Sequence, residues 1–249
     1  MMPRVLHLKV ADRAGCADCA AYRLQVGLRC LGCEKKLLDI GCGKGAFASM
    51  SPAREYTCLE LSPEAALLAH SRGVSAITES IEEHAAANPQ VYDAVCAFQV
   101  IEHVAELRSF INACIMCLKP SGLLLYSTPS ADSFVRHIPN FATNLPPHHV
   151  TRWSDQALRS IARYFPVRIV TIWHEPLEPF HEELYVSAMV QRVIMRVLGR
   201  DTAVVDTRST TRKIAKLSRY IGRRTAGNLI RGRSRRDGLS VVCVYRKAQ

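Results

Sequence analysis

Apolar positions along this chain fall into short runs separated by stretches of helical period. Leu37 to Ile40 reads as a strand that runs into a glycine turn, and Ala46 to Met50 begins a helix. Tyr56 to Leu59 reads as a second strand. Pro63 opens the next helix, at a position where its missing N–H costs nothing, and Gly73 closes it. Val74 to Thr78 is a third strand, followed by a short helix from Ile81 to Ala87. Tyr92 to Phe98 is the fourth strand, and Leu107 to Leu118 the helix after it. Pro120-Ser121-Gly122 reads as a turn before strand Leu123 to Ser127. Ser154 is placed to cap a helix from Asp155 to Tyr164. Val167 to Trp173 and Leu239 to Tyr245 are the last strands.

Strands alternating with helices predict an α/β fold, a doubly wound and mostly parallel sheet covered on both faces. The long stretch between the last two strands far exceeds a hairpin and reads as a mostly helical insertion. The predicted organisation is an N-terminal extension over 1–36, a core over 37–175, a helical insertion over 176–238, and a final core strand over 239–249.

Charge sharpens this division. The formal net charge is +11, yet residues 191–249 hold 16 of the 33 Lys and Arg against only Asp201, Asp206 and Asp237. The rest of the chain is near neutral, so the basicity belongs to one local element. No apolar run approaches the length of a membrane span. Val5 to Val10 is interrupted by His7 and Lys9 and makes a poor signal peptide. The expected location is the cytoplasm.

The most informative segment is Leu38-Asp39-Ile40-Gly41-Cys42-Gly43-Lys44-Gly45. Glycines let a backbone turn tightly and let a flat ligand approach. Gly41, Gly43 and Ala46 also satisfy the looser dinucleotide fingerprint. Asp39 separates the two readings, because a carboxylate suits a cationic ligand better than a pyrophosphate. S-adenosylmethionine carries an ammonium and a sulfonium and no phosphate. Glu60 ends the second strand 19 residues after Gly41, where a carboxylate can accept from both hydroxyls of a ribose.

Four segments together resemble the class I S-adenosylmethionine-dependent methyltransferases, in particular bacterial enzymes of small-molecule and sugar-pathway type. They are Leu37 to Gly45, Tyr92-Asp93-Ala94-Val95 leading into Phe98-Gln99-Val100-Ile101-Glu102-His103-Val104, Leu118 to Leu124, and Asn144 to Trp153. The resemblance implies a seven-stranded sheet of Rossmann-like type with an antiparallel final strand. It implies that Asp39, Gly41 and Gly43 surround the methionine part of the cofactor, with Cys42 and Gly45 in the same turn. Glu60 and Leu61 would lie at the ribose, Ser80 and Ile81 beside the adenine, and Phe98 and Gln99 on the sulfonium side.

Methyl transfer needs an acceptor held in line with the methyl group, and a hydroxyl acceptor also needs a base. His148 and His149, after two prolines that stiffen their loop, are the candidates for that base. His103 reads as a loop brace, and His181 starts the insertion. At the N-terminus Cys16, Cys19, Cys30 and Cys33 form C-x2-C-x10-C-x2-C, a spacing that suits a structural zinc site with four thiolates. The competing reading is reduced, unliganded thiols at an atypical start of the core. Cys42, Cys58, Cys96, Cys114, Cys117 and Cys243 read as reduced, small apolar residues.

In the insertion, Val190, Val193, Ile194, Val197 and Leu198 share a helical face, and Arg192, Arg196 and Arg200 recur on another. A second basic stretch runs from Arg212 to Arg236, with Ile214, Leu217, Tyr220 and Ile221 as its apolar members. These helices read as a solvated cap. They also suit an anionic membrane surface, which would place the protein at the inner face of a membrane, or an acidic acceptor. Nucleic acid is disfavoured because no recognised binding module accompanies the charge. The sequence thus predicts a methyltransferase acting on a small molecule or cell-envelope sugar, at oxygen, without a catalytic metal. An RNA or quinone-precursor methyltransferase and a non-catalytic cofactor-binding scaffold are the alternatives.

Overall fold

The computed structural model describes residues 36–51, 53–229 and 238–249. The expectations for Cys16, Cys19, Cys30 and Cys33, and for the end of the basic stretch over residues 230–237, lie outside the described residues. The described residues form two compact units. One comprises residues 36–51, 53–127, 159–171 and 242–249, and the other residues 128–158, 172–229 and 238–241.

Seven strands make one sheet in the order β3-β2-β1-β4-β5-β7-β6. They are β1 (Lys36–Ile40), β2 (Glu55–Leu59), β3 (Ala76–Ile77), β4 (Tyr92–Phe98), β5 (Leu118–Pro129), β6 (Val167–His174) and β7 (Ser240–Lys247). The helices are α1 (Pro63–Ser71), α2 (Ile81–Ala87), α3 (Leu107–Cys117), α4 (Asp155–Tyr164), α5 (Glu182–Val197) and α6 (Ser209–Leu229). β1 pairs in parallel with β2 and β4, and β4 with β5. β7 runs antiparallel to β6: Ala248 N–H meets Pro166 at one end and Glu175 N–H meets Ser240 at the other. This is the mixed doubly wound sheet expected from the sequence. Leu37, Leu38, Ala94 to Ala97 and Leu123 to Tyr126 are buried, as parallel strands covered on both faces must be.

The chain leaves β1 toward β2 and β3, then returns to β4 on β1's other side. The C-terminal ends of β1 and β4 therefore flank the point where strand order reverses, the place where such sheets hold ligands.

Several boundaries differ from the sequence reading. Ala46 to Met50 gives only a 3-10 turn at Ala48–Met50, and β3 shrinks to Ala76–Ile77. Pro120-Ser121-Gly122 does not separate a helix from a strand; β5 begins at Leu118 and carries those residues as an irregularity. The register with β4 shifts between Tyr92 and Ala94, and Ser121 takes a φ of 61°.

In the second unit, Phe134, Val135 and Ala188 form a small core with Ile138, Phe141 and Leu177 packed around it. α5 buries Val186, Ser187, Ala188, Gln191 and Met195. α6 buries Thr211, Ser218 and Gly222. The apolar stripe read from the sequence is therefore not the buried face. Val193 is 60% exposed, Val197 80% and Tyr220 59%. The physical reason is a close approach of the two helices, which only small residues allow. A Cβ on Gly222 would stand 2.8 Å from the Glu183 carbonyl oxygen.

Candidate active site

The site begins with the turn after β1. Gly41 N–H and Cys42 N–H both donate to the Leu59 carbonyl, at 2.8 and 3.2 Å. This folds the turn onto the end of β2. Gly41, Gly43 and Gly45 all have positive φ (69°, 55° and 71°), a region that Cβ-bearing residues enter at a cost. The three glycines serve different ends. A Cβ on Gly41 would meet Val100 Cγ2 at 2.6 Å, and one on Gly45 would meet Val74 at 3.0 Å. Gly43 would meet nothing within 4 Å, so its open side is available to a ligand.

Folding the turn onto β2 also brings Cys42 over Cys58, and the two are joined in a disulfide with Cα atoms 6.0 Å apart. This corrects the reading of both as reduced thiols. Cys96, Cys114, Cys117 and Cys243 are buried and form no disulfide, as expected. Burial pushes the Cys117 thiol up to about 12, which keeps it protonated and unreactive.

Glu60 follows β2 and reaches back to the turn. One carboxylate oxygen accepts from Gly43 N–H at 2.8 Å and the other from Ser62 N–H at 2.9 Å. Each oxygen has capacity for a second hydrogen bond. The side chain is half-buried, so a fixed carboxylate stands beside the open face of Gly43. Leu61 is exposed.

Asp39 sits on β1, just before the turn. Its carboxylate is 2% exposed, between Tyr56 OH, which donates to it, and the Cys96 thiol, 3.4 Å away. Register sets these partners, since Asp39 is paired with Cys58 on β2 and with Cys96 on β4. Asp39 thus acts from beneath the turn. Burial raises its pKa to about 6, opposed by the Tyr56 and Cys96 hydrogen bonds. A cationic ligand favours the ionised form. Its affinity is therefore expected to rise as pH passes up through about 6, gaining about tenfold between pH 5 and pH 7. Asp39→Asn should bind more weakly and show a flat profile over that range, read by titration calorimetry.

At the end of β4, Gln99 takes a φ of 57°. Its N–H donates to the Ser127 carbonyl at 2.7 Å and its Nε2 to Ser127 Oγ at 3.2 Å. A non-glycine residue in this region is held there by its surroundings, a frequent mark of a binding site. Phe98 packs edge-on against Phe47, with centroids 5.6 Å apart. Ser80 caps α2 in a capping box: its Oγ accepts from Glu83 N–H at 3.1 Å, and Glu83 returns a bond to Ser80 N–H at 2.8 Å. Its hydroxyl also donates to the Glu83 carboxylate, so it is committed to the helix start. Ile81 is buried behind it.

In the second unit, His148 and His149 stack with centroids 4.8 Å apart. His149 is buried, and its Nδ1 lies 3.1 Å from Asn144 Oδ1. Tyr56, Val100 and Cys58 were not read from the sequence as parts of the site. Cross-strand register and the path of the turn place them there, and neither is visible in local pattern.

Residues 16–170 match the family described as a methyltransferase domain. The chain belongs to this family. The fold agrees: a S-adenosylmethionine-dependent methyltransferase from Archaeoglobus fulgidus superposes with a TM-score of 0.60 at 17% identity, covering 92% of this chain and 93% of that one. The cyclase SpnF does so with 0.56 at 17%, covering 95% and 84%, so the likeness in shape speaks for the fold alone. Ubiquinone biosynthesis O-methyltransferases match part of the chain. The Klebsiella pneumoniae protein is 41% identical over 103 residues, which is 38% of this chain and 42% of the relative. The Serratia proteamaculans protein is 41% identical over 104 residues, 38% and 43%. The chain thus spans about two fifths of the length of these relatives.

Proposed function

We propose that this methyltransferase-family protein transfers a methyl group from S-adenosylmethionine to an oxygen of a small molecule, with a phenolic quinone precursor as the favoured acceptor. The observation that carries the cofactor is the fixed Glu60 carboxylate beside the open side of Gly43. Glu60 would hold the ribose, the Gly41–Gly43 backbone would bear on the methionine part, and Phe98 and Gln99 would border the sulfonium side. The quinone precursor is favoured over a cell-envelope sugar by the names of the relatives that match part of the chain.

The cofactor supplies a methyl group already bonded to a good leaving group. What remains for the chain is to orient the acceptor and take its proton. We assign the proton to His149 Nε2. Nδ1–H donating to Asn144 Oδ1 would make Nε2 the basic nitrogen. His149→Gln is expected to lower kcat by about 100-fold with S-adenosylmethionine affinity unchanged. An equal loss of affinity would move His149 to a structural role. The reaction itself is tested by labelled methyl transfer to a panel of catechols and of sugars. Label in catechols alone supports the reading; label in sugars alone overturns the acceptor.

Among the described residues no helix is long and apolar enough to cross a membrane. The exposed Val193, Val197 and Leu198 alternate with Arg192, Arg196 and Arg200 on α5 and the turn after it. That combination favours peripheral contact with anionic lipid. The protein is expected to float with phosphatidylglycerol vesicles and not with phosphatidylcholine vesicles, and Val193→Asp with Val197→Asp to abolish flotation.

A further inference from the structure

Apart from the glycine turn, the second unit holds a pocket of about 210 Å³ whose lining includes Phe134, Arg136, His137, Tyr185, Met189 and Arg192. Its volume is small beside the roughly 300–1,000 Å³ of pockets for drug-sized ligands. It suits a single ring bearing one small substituent.

The lining combines two chemistries. Phe134 is buried and meets Tyr185 edge-on with centroids 5.5 Å apart, so the small apolar part of the lining comes from the half-buried Tyr185 and Met189. Against this stand two guanidinium groups. Among the described residues, neither Arg136 nor Arg192 is paired with a carboxylate. Arg136 Nε donates to His137 Nε2 at 3.2 Å, which leaves the imidazole neutral with its proton on Nδ1. Burial, and then Arg136 and Arg192, hold the His137 pKa below its usual value. The pocket's carboxylate, Asp132, accepts from the Asp155 N–H at 2.8 Å, and its remaining histidine, His174, lies against the Asp155 carboxylate. Two fixed positive charges therefore face one negative charge, and the planar guanidinium fork matches a carboxylate or phosphate oxygen pair.

We infer that this pocket binds a single aromatic ring carrying an acidic group, the acid on Arg136 and Arg192 and an edge of the ring on Tyr185 and Met189. As a binding site it stands apart from the methyl-transfer reading.

The test is titration of the full chain with benzoate, phenyl phosphate and neutral benzamide, followed by calorimetry at low salt. The better of the two acids is expected to bind at about millimolar strength and at least about tenfold more tightly than benzamide. Which acid wins identifies the anion. Arg136→Ala with Arg192→Ala should reduce that affinity by about tenfold or more, with the circular dichroism spectrum retained. Because both arginines are exposed, wild-type affinity should fall at high salt. Benzamide binding as well as the acids, saturation by neither acid, or unchanged affinity in the double variant would overturn the inference. S-adenosylhomocysteine titrated in parallel keeps the two readings apart. Its failure with acid binding intact counts against the methyl-transfer reading alone.

Discussion

Glu60→Ala is expected to weaken S-adenosylmethionine binding by about 100-fold or more, near 3 kcal/mol. Two losses combine. The carboxylate that would accept from both ribose hydroxyls is gone, and hydrogen bonds to a charged acceptor are the stronger kind. Gly43 N–H and Ser62 N–H also lose their acceptor, so the turn is no longer tied to the end of β2 by that side chain. Glu60→Gln keeps one oxygen acceptor and should lose about tenfold. Folding should suffer less than binding, because Glu60 is half-buried and water can reach the released N–H groups. Calorimetric affinity and thermal melting together separate the two effects. A Glu60→Ala protein that binds as tightly as wild type would remove Glu60 from the cofactor site.

Alanine at Gly41 and at Gly43 is expected to fail in opposite ways. Both positions have positive φ, so each substitution carries about 1–2 kcal/mol of backbone strain. At Gly41 the new methyl collides with Val100 at 2.6 Å. Overpacking of this kind adds about 1–3 kcal/mol, and the variant should lose about 3 kcal/mol of stability or fail to accumulate as folded protein. At Gly43 the methyl enters open space. That variant should lose only the strain energy and still fold. Its methyl would occupy room that the ligand needs, and affinity should drop by about 100-fold. Thermal unfolding followed by ligand titration checks both. Normal binding by a folded Gly43→Ala protein would mean that the ligand does not lie against this turn.

The parts of this account that were readable in sequence are local ones. The turn could be read because Leu37 and Leu38 run straight into Gly41, Gly43 and Gly45, and Glu60 because a short strand and its spacing fix where the acid falls. The doubly wound sheet followed from alternation alone. What escaped depends on contacts between distant segments. Asp39 stood out as an acid beside the turn, but its burial against Tyr56 and Cys96 follows from the pairing register of three strands. The Cys42–Cys58 bond needs the turn to fold back onto β2. Ser80 and Glu83 form a capping box that is explicit in the sequence. The buried faces of α5 and α6 were not legible, because periodicity draws the eye to large apolar residues. The contact uses Ser187, Ser218 and Gly222, which permit close approach, and leaves Val193, Val197 and Tyr220 outside. The second unit's pocket draws residues from four separated stretches of chain, which no local pattern could reveal.

A sulfur nucleoside, and not a dinucleotide, is expected to occupy the turn after β1. Side-by-side calorimetric titration of the purified protein with S-adenosylmethionine and with NAD decides between them. Saturable one-to-one binding of S-adenosylmethionine and no measurable binding of NAD are expected. Heat from NAD alone, or from neither, would contradict this.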